Sequence, residues 1–232
     1  MKSNLFSLSA IIAVILFLQG CDSSGFKPEH GDILFQTGDC GSYCQSIQKV
    51  TESYGDLQFT HNGIAVHDSD GVYVLEAVRN GVTKTPLKEF LQRHTDEDGC
   101  PKVAVGRLKK EHQKHIDPAV EYIRAQTGKP YNAAFTLNND SSFYCAELIY
   151  RGFEEAAPAT VFKPEPMTFN DPETNELFPG WKEYFDDLGM EVPEGEPGIN
   201  PGLMSTSDEL DMVHSYFCNV AEDLIMLEVV RP

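Results

Sequence analysis

Short alternating runs dominate the first half of the chain, and helical spacings follow. Gly31-Asp32-Ile33-Leu34-Phe35-Gln36 opens on a Gly-Asp turn and reads as a first strand, and residues 42–54 carry a helical pattern. Residues 59–66 and 72–78 are two β-rich runs around His67-Asp68-Ser69-Asp70-Gly71, a hairpin signal. Thr85-Pro86-Leu87 reads as an N-cap with proline at the first helical position, and Phe90 and Leu91 supply the apolar face. Residues 102–108 alternate as a strand. Asp117-Pro118 caps a helix that runs to about Gln126 and stops at Gly128. Ser141 and Ser142 precede another, from Phe143 to about Glu155, on which Cys145, Leu148, Ile149 and Phe153 share one face, with Ser142 as its expected N-cap.

The two ends of the chain have a different texture. Lys2 and the apolar run of residues 5–18 have the length of an export signal and are short for a membrane span. The run ends in Leu18-Gln19-Gly20-Cys21, similar to the lipobox of bacterial lipoproteins except at Gln19. That similarity implies cleavage before Cys21, lipidation of its sulfur, and a bacterial cell envelope location; ordinary secretion is the alternative. Residues 1–20 are thus read as a signal peptide, 21–29 as a tether, and 30–232 as one domain. Eight of the fourteen prolines fall within 158–203, which marks an irregular acidic wrap around one helix at 181–188. Residues 216–230 are expected to return as a helix turn or strand followed by a closing strand.

Charge and cysteines narrow the chemistry. The net charge is −18, or −19 once Lys2 is removed with the signal, which argues against nucleic acid as a partner and against passive adhesion to anionic headgroups. Membrane attachment would come from acyl chains at Cys21. With Cys21 assigned to lipid and Cys145 to chemistry, Cys40, Cys44, Cys100 and Cys218 remain. In an oxidising compartment an even remainder points to disulfides, with three possible pairings. A zinc set of Cys40, Cys44, His94 and Cys100 ranks below them because the second pair is irregularly spaced. No metal or cofactor is expected.

Cys145 lies in the first turn of its helix, where backbone N–H groups and the helix dipole favour a thiolate; a buried, inert thiol is the plainer reading of the residue alone. Its partners change that balance. If the hairpin loop has two or four residues, paired positions sum to 139, Gly63 faces Glu76, and His61 becomes a diagonal neighbour of Glu76 on the same face. A three-residue loop would separate them. Glu76 also stands out within Val72-Tyr73-Val74-Leu75-Glu76-Ala77, and orienting an imidazole is a use for an acid in an apolar strand.

Gly31-Asp32-Ile33-Leu34, Thr60-His61-Asn62-Gly63-Ile64, Val74-Leu75-Glu76-Ala77, the run from Val82 to Phe90, Pro130-Tyr131-Asn132 and Tyr144-Cys145-Ala146-Glu147-Leu148 occur in that order. Together they resemble the circularly permuted papain-like amidases of the NlpC superfamily, YaeF/YiiX type, over roughly residues 30–155. Asn62 stands where an apolar residue is expected. The resemblance implies an α+β, permuted papain-like fold: a small antiparallel sheet holding His61 and Glu76, packed against the helix that presents Cys145. It implies a cysteine hydrolase in which His61 takes the Cys145 proton and Glu76 orients His61. The substrate implied is a peptide or other amide, cell-wall peptides first. Acyl transfer or hydrolysis on lipids is the alternative, with a wide apolar cleft beside Cys145 as its signature, and a non-catalytic envelope-binding lipoprotein is the third reading. Gln36 is a candidate oxyanion donor or a solvent-facing residue, Tyr144 a pocket wall or a core residue, and His112 and His115 a solvated face.

Overall fold

Six strands, each hydrogen-bonded antiparallel to its neighbours, form the sheet in the order β4-β3-β2-β1-β5-β8. The strands are β1 (Ile33–Gln36), β2 (His61–Asp68), β3 (Gly71–Val78), β4 (Gly81–Pro86), β5 (Val103–Leu108) and β8 (Leu210–Ser215). The helices are α1 (Ser42–Val50), α2 (Leu87–Gln92), α3 (Ile116–Ala125), α4 (Cys145–Ala156), α5 (Pro179–Leu188) and α6 (Pro201–Ser205), and a two-residue ribbon joins β6 (Glu165–Pro166) to β7 (Pro197–Gly198). This computed structural model describes residues 25–39, 42–55, 57–158 and 160–218. The signal segment, Cys21, Cys40 and most of 216–230 lie outside them. The closing strand at the sheet edge is residues 210–215, ahead of the stretch expected to return.

The hairpin turns on two residues, Ser69 and Asp70, so Ile64 faces Leu75 and Asp68 faces Gly71. That register carries Gly63 opposite Glu76 at the far end. The chain then reverses at once through Arg79 and Asn80 into β4, a strand the sequence pattern concealed behind Thr83, Lys84 and Thr85. Gly81 permits the turn: it holds φ +108°, and a Cβ there would come 2.4 Å from the Lys129 carbonyl oxygen. Thr85 consequently sits inside the ladder opposite Val74, and the residue preceding α2 is Pro86. The ladder hydrogen bonds take precedence over the expected cap, and Thr85 turns its hydroxyl toward Glu76.

The sheet is buried on both faces. Alternate residues Ile33, Phe35, Ile64, Leu75 and Ala77 pack with α3 and α4, and Leu34, Ala65, Val74, Val103 and Val105 pack with Phe90 and Leu91 of α2. Helices α3 and α4 approach closely at Gly152, where a Cβ would lie 2.7 Å from Ile123 and 3.0 Å from the Ala119 carbonyl. Helix α4 begins at Cys145, two residues later than the pattern suggested. Its cap is Tyr144, in extended conformation, in place of Ser142. The reason lies upstream. Phe143 exchanges backbone hydrogen bonds with the 130–132 segment, donating to Pro130 O at 3.1 Å and accepting from Asn132 N–H at 3.1 Å, which holds it extended.

The proline-rich stretch 158–203 wraps the end of the sheet and carries a small aromatic cluster of its own, Phe169, Trp181 and Phe185. A disulfide between Cys100 and Cys218, with Cα atoms 5.8 Å apart, ties the end of β8 to the loop before β5. Cys44 is also half of a disulfide. His112 departs from the solvated-face expectation: it is buried and bonds Glu209 through Nε2 at 2.5 Å.

Gly152→Val should destabilise the fold by about 1–3 kcal/mol, because fully buried Ile123 has no room to retreat. Urea denaturation measures this, and the alkylation rate of Cys145 in the folded variant should stay unchanged.

Candidate active site

His61 opens β2 at the sheet end, and its Nε2 lies 2.5 Å from Glu76 Oε2. The imidazole side chain is 17% exposed, whereas the carboxylate is wholly buried. Cys145 is the other close partner of the ring, and the interaction between the two works to raise the imidazole pKa. Since Glu76 occupies Nε2, Nδ1 is the nitrogen left to exchange a proton with the sulfur. The structure therefore brings Cys145, His61 and Glu76 together in one chain of contacts, with Phe90 packed 6.0 Å from the imidazole, ring centre to ring centre.

Two residues that the sequence reading did not single out complete the group. Arg93, just past α2, forks onto Glu76 with bonds of 2.8 Å and 2.6 Å, one to each oxygen. Thr85 donates its hydroxyl to Oε1 at 2.5 Å. Both oxygens are thus doubly occupied. Burial pushes the Glu76 carboxyl upward, but Arg93 and His61 overcome it and hold the group at about 2. For His61, burial works to lower the pKa, and the hydrogen bonds to Cys145 and Glu76 raise it to about 9. At neutral pH the imidazole is therefore the cationic partner of an ionised Glu76. Arg93 was hidden because its helix follows a strand that the pattern did not disclose.

Cys145 supplies the first residue of α4, so its backbone N–H has no acceptor within the helix. Two residues on, Glu147 is fully buried; its Oε2 accepts from Tyr144 N–H at 3.2 Å and from Asn132 Nδ2 at 2.8 Å. Burial pushes the Glu147 carboxyl up to about 7, against the opposing effect of those donors. The Pro130-Tyr131-Asn132 segment and the Cys145 turn are thereby fastened to each other.

A cavity of about 240 Å³ opens beside Cys145. Its walls are largely apolar, with Ile47, Phe135, Phe169, Trp181, Ile199 and Leu203 among them. Phe135 adopts φ +57°, a conformation that costs a bulky residue about 1–3 kcal/mol, and it is held there between Tyr131, Tyr144, Trp181 and Tyr184. Tyr144 is both wall and core: it lines the cavity, is buried, and accepts the Ile199 N–H on its hydroxyl at 3.2 Å. Burial pushes that phenol well above the usual range. Gln36 does not suit the oxyanion role. It pairs with His61 across the ladder, but it is fully buried, lies outside the cavity lining, and spends its Nε2 on Phe90 O at 2.8 Å. Asn62, beside the imidazole, is buried with its Nδ2 3.2 Å from Met204 Sδ.

The family model for permuted papain-like amidase enzymes, the YaeF/YiiX C92 family, matches residues 27–214. The chain belongs to this family. A solved structure of yiiX from Escherichia coli O157:H7, titled a metalloprotein, is similar with a TM-score of 0.65 and 24% identity, covering 83% of this chain and 99% of that one. That likeness is one of fold. No curated protein matches the chain. As a member of the C92 family it is a papain-like cysteine hydrolase by class. Among the described residues, the grouping with metal-ligand chemistry is Asp96, Cys100 and Cys218, and its two sulfurs are bonded to each other, which removes the thiolates a metal would need. The zinc set fares no better, since Cys44 and Cys100 are both in disulfides.

The shifted groups fix the pH dependence of stability. His61, raised above its ordinary value, stabilises fully below about pH 6.5, and that contribution should fade as pH rises through about 9. Urea unfolding of wild type and His61→Gln should therefore converge over that window. Glu76→Gln leaves Arg93 without its counter-charge and should cost about 2–4 kcal/mol. It should also bring the His61 titration, followed by imidazole proton NMR, down toward its ordinary range.

Proposed function

We propose that this protein hydrolyses an amide bond by way of a thioester at Cys145. The observation that carries the reading is the position of His61, between Cys145 and a buried, charge-compensated Glu76 to which its Nε2 is bonded. His61 holds the proton taken from the thiol, and Cys145 Sγ attacks the carbonyl carbon. The oxygen of the tetrahedral intermediate gains negative charge, for which the Cys145 backbone N–H at the start of α4 is the available donor. His61 then gives its proton to the departing amine as the C–N bond breaks, leaving an acyl group on sulfur. Water, deprotonated by His61, attacks that thioester, releases the acid and restores the thiolate. Glu76 keeps the ring oriented and offsets its positive charge throughout; Arg93 and Thr85 act through Glu76 as positioning residues.

Export and lipidation at Cys21 would set this chemistry in the bacterial cell envelope, where cell-wall peptides are the amides at hand. That substrate rests on analogy with the family. The second reading, hydrolysis or transfer of an acyl group, is favoured by the apolar walls beside Cys145. Incubation of wild type and Cys145→Ala with muropeptides and with acyl lipids, followed by mass spectrometry, separates the two. Product from one class in wild type only is expected, with a drop of at least about a thousandfold in the variant. Turnover that survives in Cys145→Ala would reject the mechanism.

A further inference from the structure

The cavity beside Cys145 has a charge pattern as well as an apolar one. Two acidic residues, Glu52 and Glu165, are among those lining it, and no lysine, arginine or histidine is. Both acids are exposed, so they stand where the cavity meets solvent, whereas Phe169 and Trp181 form its buried wall. They come from distant parts of the chain, one following α1 and the other from the ribbon strand β6. Lys49, on the same helix as Ile47, sits over the Phe178 ring, 5.6 Å from its centre, and is not part of the lining.

We infer that the site, read as the amide-cleaving centre proposed above, selects a substrate with an apolar group on one side of the scissile bond and a cationic group at the mouth. Glu52 and Glu165 are its charge-selecting residues. An ammonium near the two carboxylates gains Coulomb attraction at the entrance and needs no desolvation, because the acids remain in water. A carboxylate or phosphate in the same place meets like charge and finds no lysine or arginine among the lining residues. The apolar interior would impose a further cost on an anion that entered it. Amides flanked by free carboxylates are therefore poor substrates, and amides of amine-bearing compounds are good ones.

Charged thiol reagents test this without a known substrate. Cys145 is the free cysteine among the described residues. The Cys145 thiolate attacks the sulfenyl sulfur of a methanethiosulfonate, expelling methanesulfinate and leaving a mixed disulfide. Rates are measured by intact-protein mass spectrometry at low ionic strength with the trimethylammonium-ethyl, methyl and sulfonato-ethyl reagents, each divided by its rate with 2-mercaptoethanol. Cys145→Ala reports labelling elsewhere. In wild type the order should be cationic, then neutral, then anionic. Glu52→Gln/Glu165→Gln should reduce the cation-to-anion ratio about tenfold, the combined effect of two exposed charges. Glu111→Gln/Glu121→Gln, with the same change in net charge but outside the cavity, should alter it less than about twofold.

A wild-type ratio no greater than that of the free thiol would overturn the inference, as would an equal loss in the two double variants. Failure of all three reagents to label Cys145 would overturn both this inference and the proposed mechanism. The expected ratios without any amide turnover would leave the selectivity standing and remove only the hydrolase reading.

Discussion

A single buried carboxylate governs the chemistry of this protein. Glu76 lies with no exposure in an apolar sheet, a setting that by itself would keep it protonated. Arg93 and Thr85 supply three of the hydrogen bonds that reverse this, and His61 supplies the fourth. An ionised Glu76 then sustains a protonated His61 beside Cys145. Breaking the arginine fork would weaken every later step, because each charge in the row is held by the one behind it.

The row is assembled from opposite layers of the fold. Glu76, Thr85 and Arg93 come together on the α2 side of the sheet, while Cys145 arrives on α4, whose body packs against the other side. They meet because His61 is the first residue of β2 and stands at the sheet end, within reach of both. Cys145 is held from its own side by Phe143 pairing with residues 130–132 and by Glu147 bonding Asn132 and the Tyr144 backbone. Fastening that turn fixes the sulfur relative to the imidazole.

The stretch from 158 to 206 contributes much of the cavity wall beside Cys145. Met167, Phe169, Trp181, Ile199 and Leu203 close the cavity over Cys145, and Glu165 adds charge at its mouth. Its many prolines fit this use: segments fixed in extended conformation can present side chains without forming a second sheet. The resulting cavity combines apolar walls with acidic edges, which is why the acyl reading and the cationic preference can both be true of one substrate.

What the linear sequence determined was local. The two-residue turn Ser69-Asp70 set the hairpin register, and the period of two then put His61 and Glu76 on one face; the order of short motifs was enough to identify the permuted papain-like plan. The position of Cys145 near a helix start was legible too, although the cap was not, since Phe143 is kept extended by a partner segment eleven residues away in the chain. Everything that depended on distant elements meeting stayed hidden. Arg93 looked like an ordinary surface cation until β4 and α2 carried it back over Glu76, Gln36 lost its donor to a carbonyl on α2, and the Cys100–Cys218 pairing was one of three until the strands closed. Periodicity encodes which face a residue takes; only tertiary packing decides what stands opposite that face, and the charge states here are set by what stands opposite.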